Sequence, residues 1–135
     1  MTVLIVDDLP TNLKLLRAMI ESTEISVFEA GNGVQALEVL QREQIDAIIS
    51  DVLMPKMDGY QLCREVRRHP NLRNLPFIFY TSTYTSDSDE RMSLELGADR
   101  FLTKPVSSKA ILAVLRELVG NSERSGRSET GLARD

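Results

Sequence analysis

The sequence predicts an α/β protein built on one parallel sheet, and two patterns carry that prediction. Five short runs rich in β-branched and aromatic residues alternate with segments whose apolar residues recur at helical spacing. The runs are apolar along almost their whole length, as is typical of strands covered by helices on both faces. Right-handed crossovers between successive strands then give a three-layer sandwich with a five-stranded parallel sheet.

The expected strands end at turn residues or polar side chains. In chain order they are Val3–Val6, Ile25–Ala30, Ile45–Ser50, Pro76–Thr81 and Arg100–Thr103. The apolar stripes of the five expected helices are Leu13, Leu16, Met19 and Ile20; Leu37 and Leu40; Leu62, Cys63 and Val66; Met92 and Leu96; and Ile111, Leu115 and Leu118. The fourth stripe is the thinnest, so we expect that helix to be the most mobile. For the whole, we expect the flavodoxin-like (βα)5 arrangement with strand order 2-1-3-4-5.

Length and composition limit the domain organisation. A chain of 135 residues with 42% hydrophobic content supports one domain with a sizeable core. We place that domain at residues 1–119. Residues 120–135 are rich in glycine, serine and charged side chains with little to bury, and we expect them to form a disordered tail or linker.

Charge and hydropathy argue against two classes of partner. The formal net charge is -4, which is not the basic surface expected of a direct nucleic-acid binder. No apolar run approaches the roughly 20 residues of a membrane span, and the N-terminus does not read as a signal peptide.

The single cysteine, Cys63, cannot form an internal disulfide and is expected in the core. A cytoplasmic location is the resulting expectation.

Functional side chains stand at four of the strand ends. They are Asp7 with Asp8, Asp51, Thr81, and Lys104 with Pro105. Because the carboxyl ends of parallel strands meet at one edge of the sheet, these groups are expected to converge where ligands bind in open α/β folds. The acids can hold a divalent cation, and the lysine can neutralise phosphate oxygens.

Asp51 is the candidate nucleophile. It follows a hydrophobic strand, and the chain then leaves through Pro55 and turns at Asp58 and Gly59 before the next helix. An aspartate can attack phosphorus and form an acyl phosphate when a cation draws charge from the phosphoryl oxygens. Mg²⁺ is the expected cation, with Asp8 and Asp51 as direct ligands and Asp7 bound through water.

Four segments, LIVDD, IISDVLMPKMDG, PFIFYTS and GADRFLTKP, together resemble the response-regulator receiver domain of two-component signal transduction over about residues 3–119. The resemblance implies a phosphoprotein of a phosphorelay, in which Asp51 accepts a phosphoryl group from a histidine kinase or phosphotransfer protein. The expected output is a changed contact with a downstream protein target or a fused output domain, with homodimerisation left open. Such a protein is not an enzyme, since it catalyses only its own phosphorylation and dephosphorylation.

The resemblance also implies roles for particular residues. Asp7 and Asp8 would be the acidic pair, and the main-chain carbonyl of Val52 a further Mg²⁺ ligand. Lys104 would bind phosphoryl oxygen, and the bond between Lys104 and Pro105 would be cis. Thr81 would reorient toward the phosphoryl group, while Phe101 would be the aromatic switch residue that turns inward with it.

The sequence departs from common family variants at positions that affect signalling. Phe101 lacks the hydroxyl of a tyrosine, so its inward state can rest only on packing. Leu53 and Thr83 would lie next to the water that attacks the phosphoryl group, and Leu53 cannot orient that water, so we expect a long-lived phosphoryl group. Three positions that are often acidic, acidic and basic in receivers paired with winged-helix domains carry Arg100, Ala110 and Val114, which weakens the case for the associated dimer.

Three other functions are compatible with parts of this sequence. Gly31, Gly33 and Ala36 imitate a dinucleotide-binding fingerprint, but we interpret them as a turn and helix start because a lone glycine motif is weak. A haloacid-dehalogenase-like phosphatase would need a second acid where Leu53 stands. A receiver-like interaction module that is never phosphorylated stays open as the alternative function.

Overall fold

Five parallel strands form one sheet in the computed structural model, which describes residues 1–82 and 87–122. The strands are β1 (Thr2–Val6), β2 (Ser26–Ala30), β3 (Ala47–Ser50), β4 (Phe77–Thr81) and β5 (Arg100–Thr103). Their order across the sheet is β2-β1-β3-β4-β5, and every neighbouring pair is parallel. The predicted strand order and direction are confirmed.

A helix follows each strand, and the helices cover both faces of the sheet. They are α1 (Pro10–Ile20), α2 (Gly33–Arg42), α3 (Gly59–Arg68), α4 (Asp87–Glu95) and α5 (Ser108–Ser122). On one face, apolar side chains of α1 and α5 such as Leu16 and Leu115 pack on the sheet. On the other face α2 and α3 do the same, for example through Leu40 and Leu62. These two cores give the predicted three layers.

Cys63 lies within the core under α3, as expected. Its side chain is fully buried, and burial raises the pKa of the thiol to about 11. The thiol therefore stays protonated at neutral pH and acts as a small apolar group.

The loop that carries Asp51 is held against two helix starts. The backbone N–H of Gly33 donates to the Met57 carbonyl at 3.1 Å, and a Cβ on Gly33 would lie 2.6 Å from Met57 Cγ. The Asn32 side chain caps α2 by accepting the N–H of Gln35 at 2.9 Å. The interpretation of this glycine motif as a turn and helix start is confirmed, and its second glycine makes room for the loop after β3.

Gly59 fixes the other end of that loop. A Cβ at this position would collide with the Asp51 carbonyl and lie 2.9 Å from the ring of Phe79. Asp58 and Gln61 form a capping box that starts α3 at the same point. The loop can therefore fold back on α3 only because the helix begins with glycine.

The boundaries of the described residues bear on two predictions. Helix α5 continues to Ser122, past the expected domain end at residue 119. Thr83 and residues 123–135 lie outside the described residues. In the part of the chain that is described, no helix is long and apolar enough to cross a bilayer.

Candidate functional site

The carboxyl ends of four strands bring the expected functional residues together. Val6 pairs with Ser50 across β1 and β3, so the aspartates that follow these strands lie side by side. Thr81 pairs with Thr103 across β4 and β5, which places Lys104 at the same edge. The Lys104 Nζ lies 3.1 Å from an oxygen of Asp7 and 3.9 Å from an oxygen of Asp51.

Three carboxylates form a cluster suited to a hard cation. One oxygen from each of Asp7, Asp8 and Asp51 can be chosen so that all three lie within 4.8 Å of one another. Asp7 is buried, Asp51 is partly buried and Asp8 is exposed. Mg²⁺ prefers carboxylate oxygens and keeps several waters, so a cluster open to solvent at Asp8 fits this ion.

Asp7 is held by several donors from the protein itself. It accepts hydrogen bonds from the Leu9 N–H at 3.0 Å and from the Asn12 side chain at 3.2 and 3.4 Å, besides its ion pair with Lys104. Both carboxylate oxygens therefore already have partners. This geometry suits the indirect contact expected of Asp7, in which water lies between the carboxylate and the cation.

The environment of Asp51 raises the pKa of its carboxyl group. Burial is the largest cause, and the nearby charge of Asp7 adds to it. A hydrogen bond with the Thr81 side chain, another from the Val52 N–H at 2.7 Å and the charge of Lys104 act in the opposite direction. A cation among the carboxylates would oppose the first two causes and favour the ionised, nucleophilic form.

Lys104 is partly enclosed by its neighbours. Its side chain is 17% exposed, and its backbone N–H donates to the Thr81 carbonyl at 2.8 Å. The bond between Lys104 and Pro105 is cis, as the resemblance implies. Next to the ammonium lies a cavity of about 420 Å³, between α1 and residues 104–106, whose lining includes Leu15, Met19 and Tyr80.

The expected role of the Val52 carbonyl as a ligand stays a prediction. That carbonyl accepts the Gly59 N–H at 2.8 Å, and the residue is only 4% exposed. This hydrogen bond helps to hold the loop on the start of α3, and it uses one of the two lone pairs of the carbonyl oxygen. The motif indicated a carbonyl near Asp51, but only the path of the backbone shows where each carbonyl points.

The remaining expected residues occupy the surroundings of the cluster. The Leu53 side chain, two positions after Asp51, is 59% exposed. Phe101 is partly buried, with its ring centroid 6.1 Å from that of Phe79. Sequence reasoning missed Asn12, whose only signal is a polar residue in the first turn of α1, and Tyr80, which reads as an ordinary strand residue.

The direction of the Asp51 pKa shift predicts how stability depends on pH. Because the folded-state pKa lies above the ordinary 3.8, the native state binds this proton more tightly than the unfolded chain does. The stabilisation that the Asp51 carboxyl group provides is present below about pH 3.8 and is lost as the pH rises through the raised pKa. Asp51→Asn should therefore raise Tm at neutral pH in metal-free buffer, and the difference should disappear near pH 3.8.

Thermal unfolding followed by circular dichroism between pH 3 and pH 8 measures this difference, with EDTA present throughout. Glu38→Gln, which removes one charge from an exposed position on α2, is the matched control and should change Tm little. An Asp51→Asn protein that is less stable than the wild type at neutral pH would contradict the predicted sign.

Known proteins resemble this chain in sequence and in structure. A family model described as the response regulator receiver domain matches residues 3–116. The response regulator PleD of Caulobacter vibrioides is 36% identical over 116 residues, which cover 86% of this chain and 25% of PleD. The chain thus spans about a quarter of the length of this curated relative.

Solved structures agree closely. The signal receiver domain of a signal transduction histidine kinase from Syntrophus aciditrophicus superposes with a TM-score of 0.82 at 38% identity, covering 91% of this chain and 92% of that one. The receiver domain of a sensor histidine kinase from Pseudomonas aeruginosa superposes with a TM-score of 0.78 at 31% identity, covering 88% of this chain and 97% of that one. That structure has a magnesium ion coordinated in the active site cleft. The chain belongs to the family of response regulator receiver domains of two-component signalling.

Proposed function

We propose that the protein is a phosphorylation-dependent switch that accepts a phosphoryl group on Asp51 and changes a protein contact in response. One observation carries the proposal: the Lys104 ammonium lies between Asp7 and Asp51 at a sheet edge that also holds Thr81 and Asp8. A nucleophile, a cation site and a phosphate-pairing lysine are the parts that phosphoryl transfer needs.

The proposed reaction gives each of these groups a role. An Asp51 carboxylate oxygen attacks phosphorus in line. As the acyl phosphate forms, the bond between phosphorus and a nitrogen of the donor phosphohistidine breaks. Asp8 and Asp51 would hold Mg²⁺ directly, with Asp7 through water, and the bound ion would neutralise charge that develops on the phosphoryl oxygens. Lys104 would exchange its contact with Asp7 for a phosphoryl oxygen.

The same phosphoryl group supplies the signal. A ligand shifts a conformational equilibrium only through contacts that differ between the two states. The Thr81 side chain, now hydrogen-bonded to Asp51, would instead bond a phosphoryl oxygen. Phe101, already against Phe79, would move further inward by packing alone, and the face formed by α4, β5 and α5 would change shape.

The donor we propose is the phosphohistidine of a histidine kinase or phosphotransfer protein, and the site of action is the cytoplasm. The downstream target is either a separate protein or an output domain in the same polypeptide. Turnover of external phosphoesters is not part of the proposal, because Leu53 stands where an aspartate-dependent phosphatase needs its second acid. On this view the protein is a switch rather than an enzyme.

Incubation with acetyl phosphate and Mg²⁺, followed by intact-protein mass spectrometry, tests the proposal. We expect the wild type to gain one phosphoryl group, and we expect no gain for Asp51→Ala or when EDTA removes the metal. Glu38→Ala, at an exposed carboxylate on α2, is the control that should still be phosphorylated. A wild type that gains nothing would favour the alternative, an interaction module that is never phosphorylated.

The exposed Leu53 generates a second prediction. Its side chain can shield phosphorus but offers no hydrogen bond to an attacking water, so Leu53→Asn should shorten the lifetime of the phosphoryl group. One added hydrogen bond corresponds to about a three- to tenfold faster hydrolysis. The decay of phosphorylated protein after removal of the donor measures the rate.

The control for this experiment is Leu94→Asn, which makes the same change at an exposed leucine on α4, away from the carboxylates. It should leave the decay rate unchanged. Equal decay rates for the wild type and Leu53→Asn would refute the shielding role.

A further inference from the structure

Tyr80 lies beside the functional lysine, although the sequence alone predicts no role for it. It is the residue before Thr81 in β4 and is 6% exposed. Its side chain belongs to the core under α1 and α5, where residues such as Ile111 and Leu115 surround it. Successive residues of a strand face opposite sides, so Tyr80 is on the other side of the sheet from Phe79.

The ring of Tyr80 contacts the Lys104 ammonium. The Nζ lies 5.3 Å from the ring centroid, within the range of a cation–π interaction. The same ammonium pairs with Asp7 at 3.1 Å. Because little of this side chain is exposed, the ring acts in a partly desolvated setting, in which such contacts are stronger.

The hydroxyl of Tyr80 contacts the backbone that follows the lysine. Its oxygen accepts the N–H of Val106 at 3.4 Å, while the N–H of Lys104 donates to the carbonyl of Thr81 at 2.8 Å. Two adjacent residues of β4 therefore hold the chain on both sides of the lysine. Between these two anchors, the lysine side chain reaches its carboxylate partners with its ammonium over the ring.

We propose that Tyr80 is a positioning residue, which acts through Lys104 and keeps its ammonium within reach of both Asp7 and a phosphoryl group on Asp51. A lysine side chain is long and flexible, so confining it in advance reduces the entropy lost when it binds phosphate. The inference rests on the proposed function and deepens it, since it adds a residue that sets the affinity of the site for the phosphoryl group.

Binding of beryllofluoride, an analogue of the phosphoryl group, tests the inference in the full chain with Mg²⁺ present. Tyr80→Leu removes the ring and should weaken apparent beryllofluoride affinity about five- to tenfold. Tyr80→Phe keeps the ring and loses only the long 3.4 Å hydrogen bond from Val106, so it should stay within about twofold of the wild type. The affinity for Mg²⁺ alone should not change in either variant, because the carboxylates are intact.

A double-mutant comparison separates positioning from core packing. If Tyr80 acts through the lysine, Tyr80→Leu should cause no further loss in a Lys104→Met background. Wild-type affinity in Tyr80→Leu, or an equal loss in both backgrounds, would overturn the inference and leave Tyr80 as a core residue. Thermal unfolding of each variant verifies that it is folded.

A measurement on the unsubstituted protein covers the case in which Tyr80→Leu does not fold. The side-chain methylene protons of Lys104 next to the ammonium should resonate upfield in the NMR spectrum of the wild type, because they lie near the ring. Random-coil shifts for these protons in the folded protein would overturn the inference. Failure of the wild type to bind beryllofluoride at all is a separate result, which would overturn the proposed function on which the inference rests.

Discussion

The ion pair between Lys104 and the carboxylates of Asp7 and Asp51 is the interaction on which the site depends. Burial and, to a smaller extent, repulsion by the charge of Asp7 raise the pKa of the Asp51 carboxyl group. Lys104, which follows β5 on the far side of β4, offsets part of this repulsion through its positive charge. The arrangement is possible because parallel strands in register end at one edge, so that residues distant in sequence meet there.

Close backbone packing places the nucleophile at that edge. The loop after Asp51 folds onto α3 at Gly59, where any side chain would meet the Asp51 carbonyl. It is held on α2 by the contact between Met57 and Gly33. These contacts lie away from the charged groups, yet they restrict where the carboxylate can lie. Preorganised positions of this kind reduce the reorganisation that phosphoryl transfer requires.

Much of this organisation could be predicted from the sequence. Apolar runs that end in charged or hydroxylated residues indicated the strands and the convergence of Asp7, Asp51, Thr81 and Lys104, and the expected flavodoxin-like arrangement supplied the strand order. The start of β3 was less predictable: the sequence suggests Ile45, whereas the strand begins at Ala47. Asp46 explains the difference in part, because its carboxylate accepts the Thr2 N–H at 2.7 Å.

Other features depend on backbone direction or on distant contacts and could not be predicted. The Val52 carbonyl follows Asp51 closely in sequence, but it faces Gly59, and no residue pattern indicates the direction of a single peptide group. Asn12 and Tyr80 gain their importance from what they contact, Asp7 and Lys104 respectively. Those contacts exist only once α1 and the strands are packed together.

A crystal structure of the protein with Mg²⁺ and beryllofluoride would locate the phosphoryl analogue, the ion and the Lys104 ammonium together. We expect beryllofluoride on Asp51, the ion on Asp8 and Asp51, and the Lys104 ammonium moved from Asp7 to within hydrogen-bond distance of a fluorine. Beryllofluoride bound elsewhere, or a Lys104 that stays on Asp7 while Asp51 carries the analogue, would contradict this expectation.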